Sequence, residues 1–300
     1  MKKFIITTTL IVLIPFFITK IFVRTEEIKF EYVSNEKIKV KNEKTGEINE
    51  IPFEDYIKGV VSGEMPANFE LEALKAQAVA SRSYALYHMQ GGEYDVTNTT
   101  SNQVYLTDDE LKEKWKDNYV EKINKIKTAI IETKGEYLTY NGETVNAMFF
   151  STSVGKTENS EEIFVSALPY LRSVSSTWDE ASPVYTDTVT FDLKDFYEKI
   201  NLKYNEKINI EILEKTSTGR TKKLKINGVE LNGRDLAAKL KLRSNYFEII
   251  QNNDKVTINT KGFGHGVGMS QYGANGMAKE GYNYKEILTH YYEGTKIKKM

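Results

Sequence analysis

Apolar and polar positions divide the chain into segments of different period. Met1 to Val23 opens on Lys2 and Lys3 and then runs as a nearly continuous apolar stretch, Phe4 to Ile18. No small-residue cleavage site follows it, since the far end is Ile18-Thr19-Lys20-Ile21-Phe22-Val23. The stretch therefore reads as an uncleaved membrane anchor, with Lys20 able to snorkel and lengthen the span. The leading lysines place the N-terminus in the cytoplasm and the body outside. Residues 24–52 are polar and alternating, with Ile28, Phe30, Tyr32, Ile38 and Val40, as expected of edge strands or a tether. Gly59 to Leu86 is the stretch around which the rest is organised. A short apolar run, Val60-Val61, leads to Glu64, and a long small-residue helix follows. Pro66 disfavours helix at the residue before it, which places Glu64 and Met65 in a turn ahead of that helix. Asn68 is the expected N-cap, and Glu70 and Glu72 put negative charge where the helix dipole favours it. Leu71, Leu74, Ala78 and Ala85 recur at helical spacing. Ala73, Ala76, Ala78 and Ala80 let another element approach closely. Gln77 and Arg82 are long polar groups on a helix that otherwise reads as core, so they need partners.

Gly91-Gly92 ends the helical pattern, and Asp95 to Tyr105 is an Asn- and Thr-rich loop. Leu111 to Glu132 reads as one charged helix with Trp115, Tyr119, Ile123, Ile126 and Ile130 on its apolar stripe. Tyr137 to Val145 is a hairpin turning at Asn141-Gly142. Ala147 to Ser153 is a buried strand ending in hydroxyls. Residues 184–250 change texture: more Lys and Glu, strand-like Ile208 to Leu213 and Lys222 to Ile226, and a short helix near Asp235 to Leu240. They offer no obvious chemistry. Leu242 to Ile250 and Lys255 to Asn259 are strand-like and return the chain towards the core. Met277 to His290 reads as helix, followed by Tyr291-Tyr292. The expected fold class is α+β: a mixed helix/strand core with an inserted smaller sub-domain. The expected spans are 1–23 (anchor), 24–52 (linker or edge strands), 53–183 (first half of the core), 184–250 (insertion) and 251–300 (second half).

Composition narrows the function by exclusion. Charged residues make up 28% of the 300, and the formal net charge is −1, so there is no basic surplus for a nucleic acid. There is no cysteine, hence no disulfide and no thiolate metal site. Glu64 is the candidate for chemistry. In a partly buried loop, desolvation would raise its carboxyl towards the range of a working general acid. The structural alternative is that Glu64 caps a helix or pairs with Arg82. Gly262, Gly264, Gly266 and Gly268 make a backbone that ligands can approach closely. The run matches neither the dinucleotide fingerprint nor a P-loop. His265, with His88 and His290, makes only a weak zinc signal, and a hydrogen-bonding His265 fits better.

Two long motifs carry a resemblance. Glu64 with Glu72 to Leu86 (EALKAQAVASRSYAL), and Gly262 to Ala274 (GFGHGVGMSQYGA), resemble the SpoIID family of stage II sporulation proteins, within a wider SpoIID/LytB group. Pro169-Tyr170-Leu171, Ser176 to Asp179 and Tyr284 to Thr295 support it, so the likeness runs from about Phe53 to Thr295. The resemblance implies a peptidoglycan lytic transglycosylase active in forespore engulfment. It would cleave the MurNAc–GlcNAc bond, preferably on strands stripped of stem peptides. It implies a SpoIIP-type amidase and a SpoIIM-type membrane protein as partners, in the engulfing membrane of the mother cell. The family's catalytic glutamate falls on Glu64. Arg82, Gln77 and Tyr84 are then candidates to orient Glu64 or the glycan, and Gln103, Ser151, His265, Ser270, Gln271 and Tyr272 candidates for the groove wall. Some clostridial members hold zinc with a His and two Cys in the loop ahead of Gln-x-Tyr. Here that loop, Asp95 to Tyr105, has no Cys, and no such zinc or other cofactor is expected. The serine strand also departs from the family, running Ser151-Thr152-Ser153-Val154-Gly155 where a Gly-Gly is usual. A rival of a different class is a non-catalytic glycan-binding enhancer or scaffold of a cell-wall amidase, after the LytB branch.

Overall fold

The computed structural model describes residues 26–29 and 35–300. The anchor expected over 1–23 lies outside them. Among the described residues no helix is long and apolar enough to cross a membrane. The fold is α+β, with helices and several small sheets.

Strand β1 (Lys37–Lys41) buries alternate residues, Ile38 and Val40. It pairs antiparallel with β2 (Ile48–Pro52) and parallel with β3 (Val96–Thr97). Pro52 then starts α1 (Phe53–Glu64), which is almost wholly buried. Thus the apolar run 59–64 is helical, and Glu64 is its last residue rather than part of a loop. Pro66 acts one residue later than expected: Met65 takes the extended conformation that ends the helix. Helix α2 (Leu71–His88) begins after Glu70, not at Asn68, and Glu70 makes no side-chain cap. Instead the Glu70 N–H donates to the Asn275 side chain at 2.8 Å, a tertiary partner that no local pattern reveals.

Helix α2 is the axis of the molecule. Ala73, Ala76, Ala78, Ala80 and Ala85 are fully buried. Their small side chains let four helices and a strand pack around it. These are α1, α4 (Tyr119–Glu132), α8 (Gln271–Lys279), α9 (Tyr284–Tyr291) and β4 (Glu136–Tyr140). Two expected long helices are each broken. Helix α3 (Asp108–Trp115), with a Thr107–Glu110 capping box, is separated from α4 by a 3₁₀ turn in which Lys116 adopts positive φ. The tail forms α8 and α9, with Asn283 and Glu286 closing a capping box that starts α9. The Asn141-Gly142 turn joins β4 to β5 (Glu143–Thr144) as the sequence predicts.

A second hydrophobic core lies between two antiparallel sheets and two helices. The sheets are β11–β12–β7 (Phe247–Asn252, Lys255–Lys261, Thr186–Asp192) and β10–β9–β8 (Val229–Asn232, Thr221–Ile226, Ile210–Lys215). The helices are α6 (Leu193–Ile200) and α7 (Gly233–Lys239), placed after the short α5 (Ser160–Ile163). Phe196, Leu224, Ile226, Val256 and Ile258 are buried there. Strand β12 reads in sequence as a return to the first core. It pairs instead with β7 and β11, and its alternate residues Val256 and Ile258 fill the second. The chain re-enters the first core at the glycine run, where β13 (Met269–Ser270) pairs parallel with β6 (Phe149–Phe150). The buried strand expected over 147–153 is confined to those two residues.

Candidate active-site cleft

A cleft of about 700 Å³ runs between the end of α1, the β6–β13 pair and the second core. Glu64 sits in its wall and is the one carboxylate among the described residues lining it. Two glycines on one face of α1 put it there. A Cβ on Gly59 would overlap the Tyr105 ring and the Leu106 carbonyl, and one on Gly63 would overlap the Val104 carbonyl. Only hydrogens at both positions let the segment 104–106 lie directly along the helix. Its Val104 N–H then donates to Glu64 Oε1 at 2.6 Å. That bond favours the carboxylate, but burial outweighs it and lifts the acid to about 7. Burial thus moves the Glu64 acid towards neutral pH, and the Val104 backbone orients its side chain.

Five other expected residues line the same cleft: Tyr84, Ser151, His265, Gln271 and Tyr272. The Tyr84 hydroxyl accepts from Asn102 at 3.1 Å. Tyr272 packs edge-on against Phe69, ring centroids 4.9 Å apart. His265 lies between Phe150 and Phe164. Its Nδ1 accepts the Val267 N–H at 3.1 Å, and the ring is also hydrogen-bonded to the Phe149 backbone. Burial first, then the charge of Arg220, push the imidazole down to about 4. It is neutral and committed to holding the glycine loop.

Four expected residues lie behind the wall rather than in it. Arg82 does not touch Glu64: it is fully buried and forms a two-bond pair with Glu54, Nε–Oε1 3.0 Å and Nη2–Oε2 2.9 Å. Its third donor reaches the Glu136 carbonyl, so it ties α1 to α2 and β4. Gln77 donates to Ser81 at 3.0 Å and accepts from Gln271 at 3.4 Å, supporting a cleft residue from below. Gln103 accepts the Tyr56 hydroxyl at 3.0 Å and anchors the segment leading to Val104. Ser270 caps α8 through the Gly273 N–H.

Ser270 also belongs to a buried network centred on Asp179. The Ser153, Ser176 and Ser270 hydroxyls each donate to that carboxylate at 2.6 Å, and Ser176 meets the Tyr291 hydroxyl at 2.7 Å. Burial raises the Asp179 carboxyl while the three hydroxyls oppose it. A Cβ on Gly273 would overlap both Tyr291 and Ser176, so glycine is required there. The network fixes the serine strand against the start of α8, where Tyr272 N–H donates to the Ser151 carbonyl.

The chain matches the family model described as stage II sporulation protein over residues 41–140. It is 45% identical over 258 residues to stage II sporulation protein D of Bacillus subtilis (strain 168), covering 83% of this chain and 75% of that protein. The chain belongs to the SpoIID family. The corresponding protein of Bacillus amyloliquefaciens is 43% identical over the same coverage. SpoIID relatives extend to the amidase enhancer of Bacillus subtilis (strain 168), 31% identical over 80% of this chain and 40% of that protein.

In this SpoIID-family chain several cleft residues carry no signal in the sequence. Asn102, Phe164 and Arg234 come from loops and from the second core, and only the tertiary fold collects them, while Phe263 lies in the glycine motif but was not picked out. Gly59 and Gly63 were also missed: their i, i+4 spacing signals a close approach only once the segment is known to be helical. Among the described residues no group of three or more His, Cys, Asp or Glu stands in a metal-ligating arrangement. The histidines are dispersed: His88 packs at a tilt against Tyr84, ring centroids 4.3 Å apart, and His290 meets the Ser175 carbonyl at 2.8 Å.

Proposed function

We propose that the protein is a peptidoglycan lytic transglycosylase with Glu64 as its acid and base. The observation that carries this is a single carboxylate, raised to about 7, in the wall of an open cleft. An ordinary glycosidase uses two carboxylates. Intramolecular attack needs one. Neutral Glu64 donates its proton to the glycosidic oxygen as the bond from MurNAc C1 breaks. The resulting carboxylate takes the proton of the same sugar's C6 hydroxyl while O6 bonds to C1. The products are a 1,6-anhydroMurNAc end and a free GlcNAc hydroxyl, with no water consumed and Glu64 again neutral. The Val104 N–H aims the carboxyl and stabilises it in its ionised phase. Tyr272 and Tyr84 offer ring surface and hydroxyls to sugar faces in the cleft.

This activity fits forespore engulfment, with the body outside the membrane on the anchor expected at 1–23. The relative named an amidase enhancer favours a second role, as partner of a SpoIIP-type cell-wall amidase beside a SpoIIM-type membrane protein. Digestion of purified peptidoglycan tests the proposal. The native protein is expected to release anhydro-muramic ends, and Glu64→Gln to lose at least about a hundredfold of that rate, as befits removal of a general acid. Equal cleavage by both proteins would put the acid elsewhere. No cleavage by either, with a faster amidase, would leave the enhancer role alone.

A further inference from the structure

We propose that Arg234 forms an anion subsite of the cleft that binds the free lactyl carboxylate of MurNAc. The inference rests on the glycan reading of the site and adds the residue by which the cleft would tell a stripped strand from a substituted one.

Arg234 is exposed and is the one cation among the described residues lining the cleft. It stands on α7, in the second core, and lines the same cleft as Glu64. The fold builds its position. A Cβ on Gly233 would overlap the Thr221 carbonyl, so the start of α7 is pressed onto β9. The Asn232 side chain accepts the Arg234 and Asp235 N–H groups at 2.8 and 3.2 Å, which fixes the backbone. The guanidinium then lies over the Phe164 ring, 5.8 Å from its centroid, and donates one N–H to the Ile163 carbonyl at 2.5 Å. Its other N–H groups make no hydrogen bond to a described residue. The acids nearby are engaged elsewhere: Glu162 accepts the Ser217 N–H, and Glu161 pairs with Arg172. Two other cations of the second core are paired, Arg220 with Glu158 and Arg243 with Asp187.

A stacked, oriented guanidinium without a carboxylate partner fits a planar anion. A glycan backbone of N-acetyl sugars has one such group, the lactyl carboxylate at O3 of MurNAc. It is ionised when free, and it becomes a neutral amide when a stem peptide is attached. Arg234 therefore distinguishes the two forms by charge, and the second core contributes specificity where the first contributes the acid.

The test is binding to defined MurNAc–GlcNAc oligomers, with the lactyl group either free or converted to its methylamide. The full-length Glu64→Gln protein is used, so that nothing is cleaved. It is expected to bind the free acid roughly tenfold tighter than the methylamide, about 1.4 kcal/mol, with the gap shrinking in high salt. Adding Arg234→Gln is expected to abolish that preference, with the loss of affinity falling mainly on the free acid. Adding Arg234→Lys, which keeps the charge and loses the fork, should restore part of it. An undiminished preference in the Arg234→Gln protein overturns the subsite while leaving the glycan reading intact. No binding of either oligomer by a protein with a native melting curve overturns both.

Discussion

Glu64 carries its proton into a range where the unfolded chain has lost it, and two measurable consequences follow. The first is catalytic. Protonation of the leaving oxygen needs the neutral acid, so kcat/KM is expected to fall as pH rises through about 7. The second is thermodynamic. The folded-state carboxyl lies above its ordinary value of 4.5, so the folded protein binds more protons than the unfolded chain between about 4.5 and 7. Native stability at this residue is therefore greatest below the ordinary carboxylate range and is lost as pH rises to about 7. Gln cannot ionise. Melting curves of Glu64→Gln against native protein are expected to coincide below about pH 4 and to favour the variant near pH 8. Coincidence at both would mean that the carboxyl is not raised. The sequence pointed to Glu64 through its place between apolar residues and a proline. It could not assign Arg82, because the partner Glu54 lies 28 positions away and only the packing of α1 on α2 joins them.

At the scale of elements, the acid depends on the close approach of α1 and the segment 104–106. Gly63→Ala must displace either the helix or the Val104 carbonyl, since a Cβ has no room between them. The Val104 N–H moves with that carbonyl, so Glu64 loses its orienting bond. The variant is expected to be destabilised by about 1–3 kcal/mol and to lose activity beyond its loss of folded protein. Circular dichroism melts and the rate per folded molecule separate the two. Periodicity located the body of α2 and four strands of the second core, and Asn141-Gly142 located the β4–β5 turn, but β7 and β10 went unread. It failed where a local pattern continues through a break. Lys116 at positive φ divides α3 from α4, and Glu70 starts α2 through the distant Asn275. The fate of β12 was also illegible, because its alternation is equally at home in either core.

For the molecule as a whole, the two cores meet through one buried ion pair beside the cleft. Glu158, in the first core, pairs with Arg220 on the β8–β9 hairpin at 3.1 Å. Arg220 donates to the Gly264 carbonyl at 2.8 Å, and Glu158 N–H to that of Gly266 at 2.7 Å. Thr218 also donates to Glu158. The pair thus grips the glycine loop that carries His265, and a Cβ at Gly266 would collide with both partners. Burial pushes Glu158 up to about 7 despite Arg220. Arg220→Met strands a buried acid and is expected to cost about 3–5 kcal/mol in urea denaturation. Adding Glu158→Met to it should recover much of that loss. If the single change costs little, the cores are held together by other contacts. With this pair the second core is more than an appendage: it fixes one cleft wall and presents Arg234 to the other.

The most direct test of the account is where the oxygen at the new sugar end comes from. Digestion of peptidoglycan in ¹⁸O-water, followed by mass spectrometry of the products, reads it. Attack by the C6 hydroxyl predicts MurNAc ends one water lighter than reducing sugar and free of ¹⁸O, absent with Glu64→Gln. Reducing MurNAc ends carrying ¹⁸O would mean that water is the nucleophile, and would contradict a mechanism built on a single carboxylate.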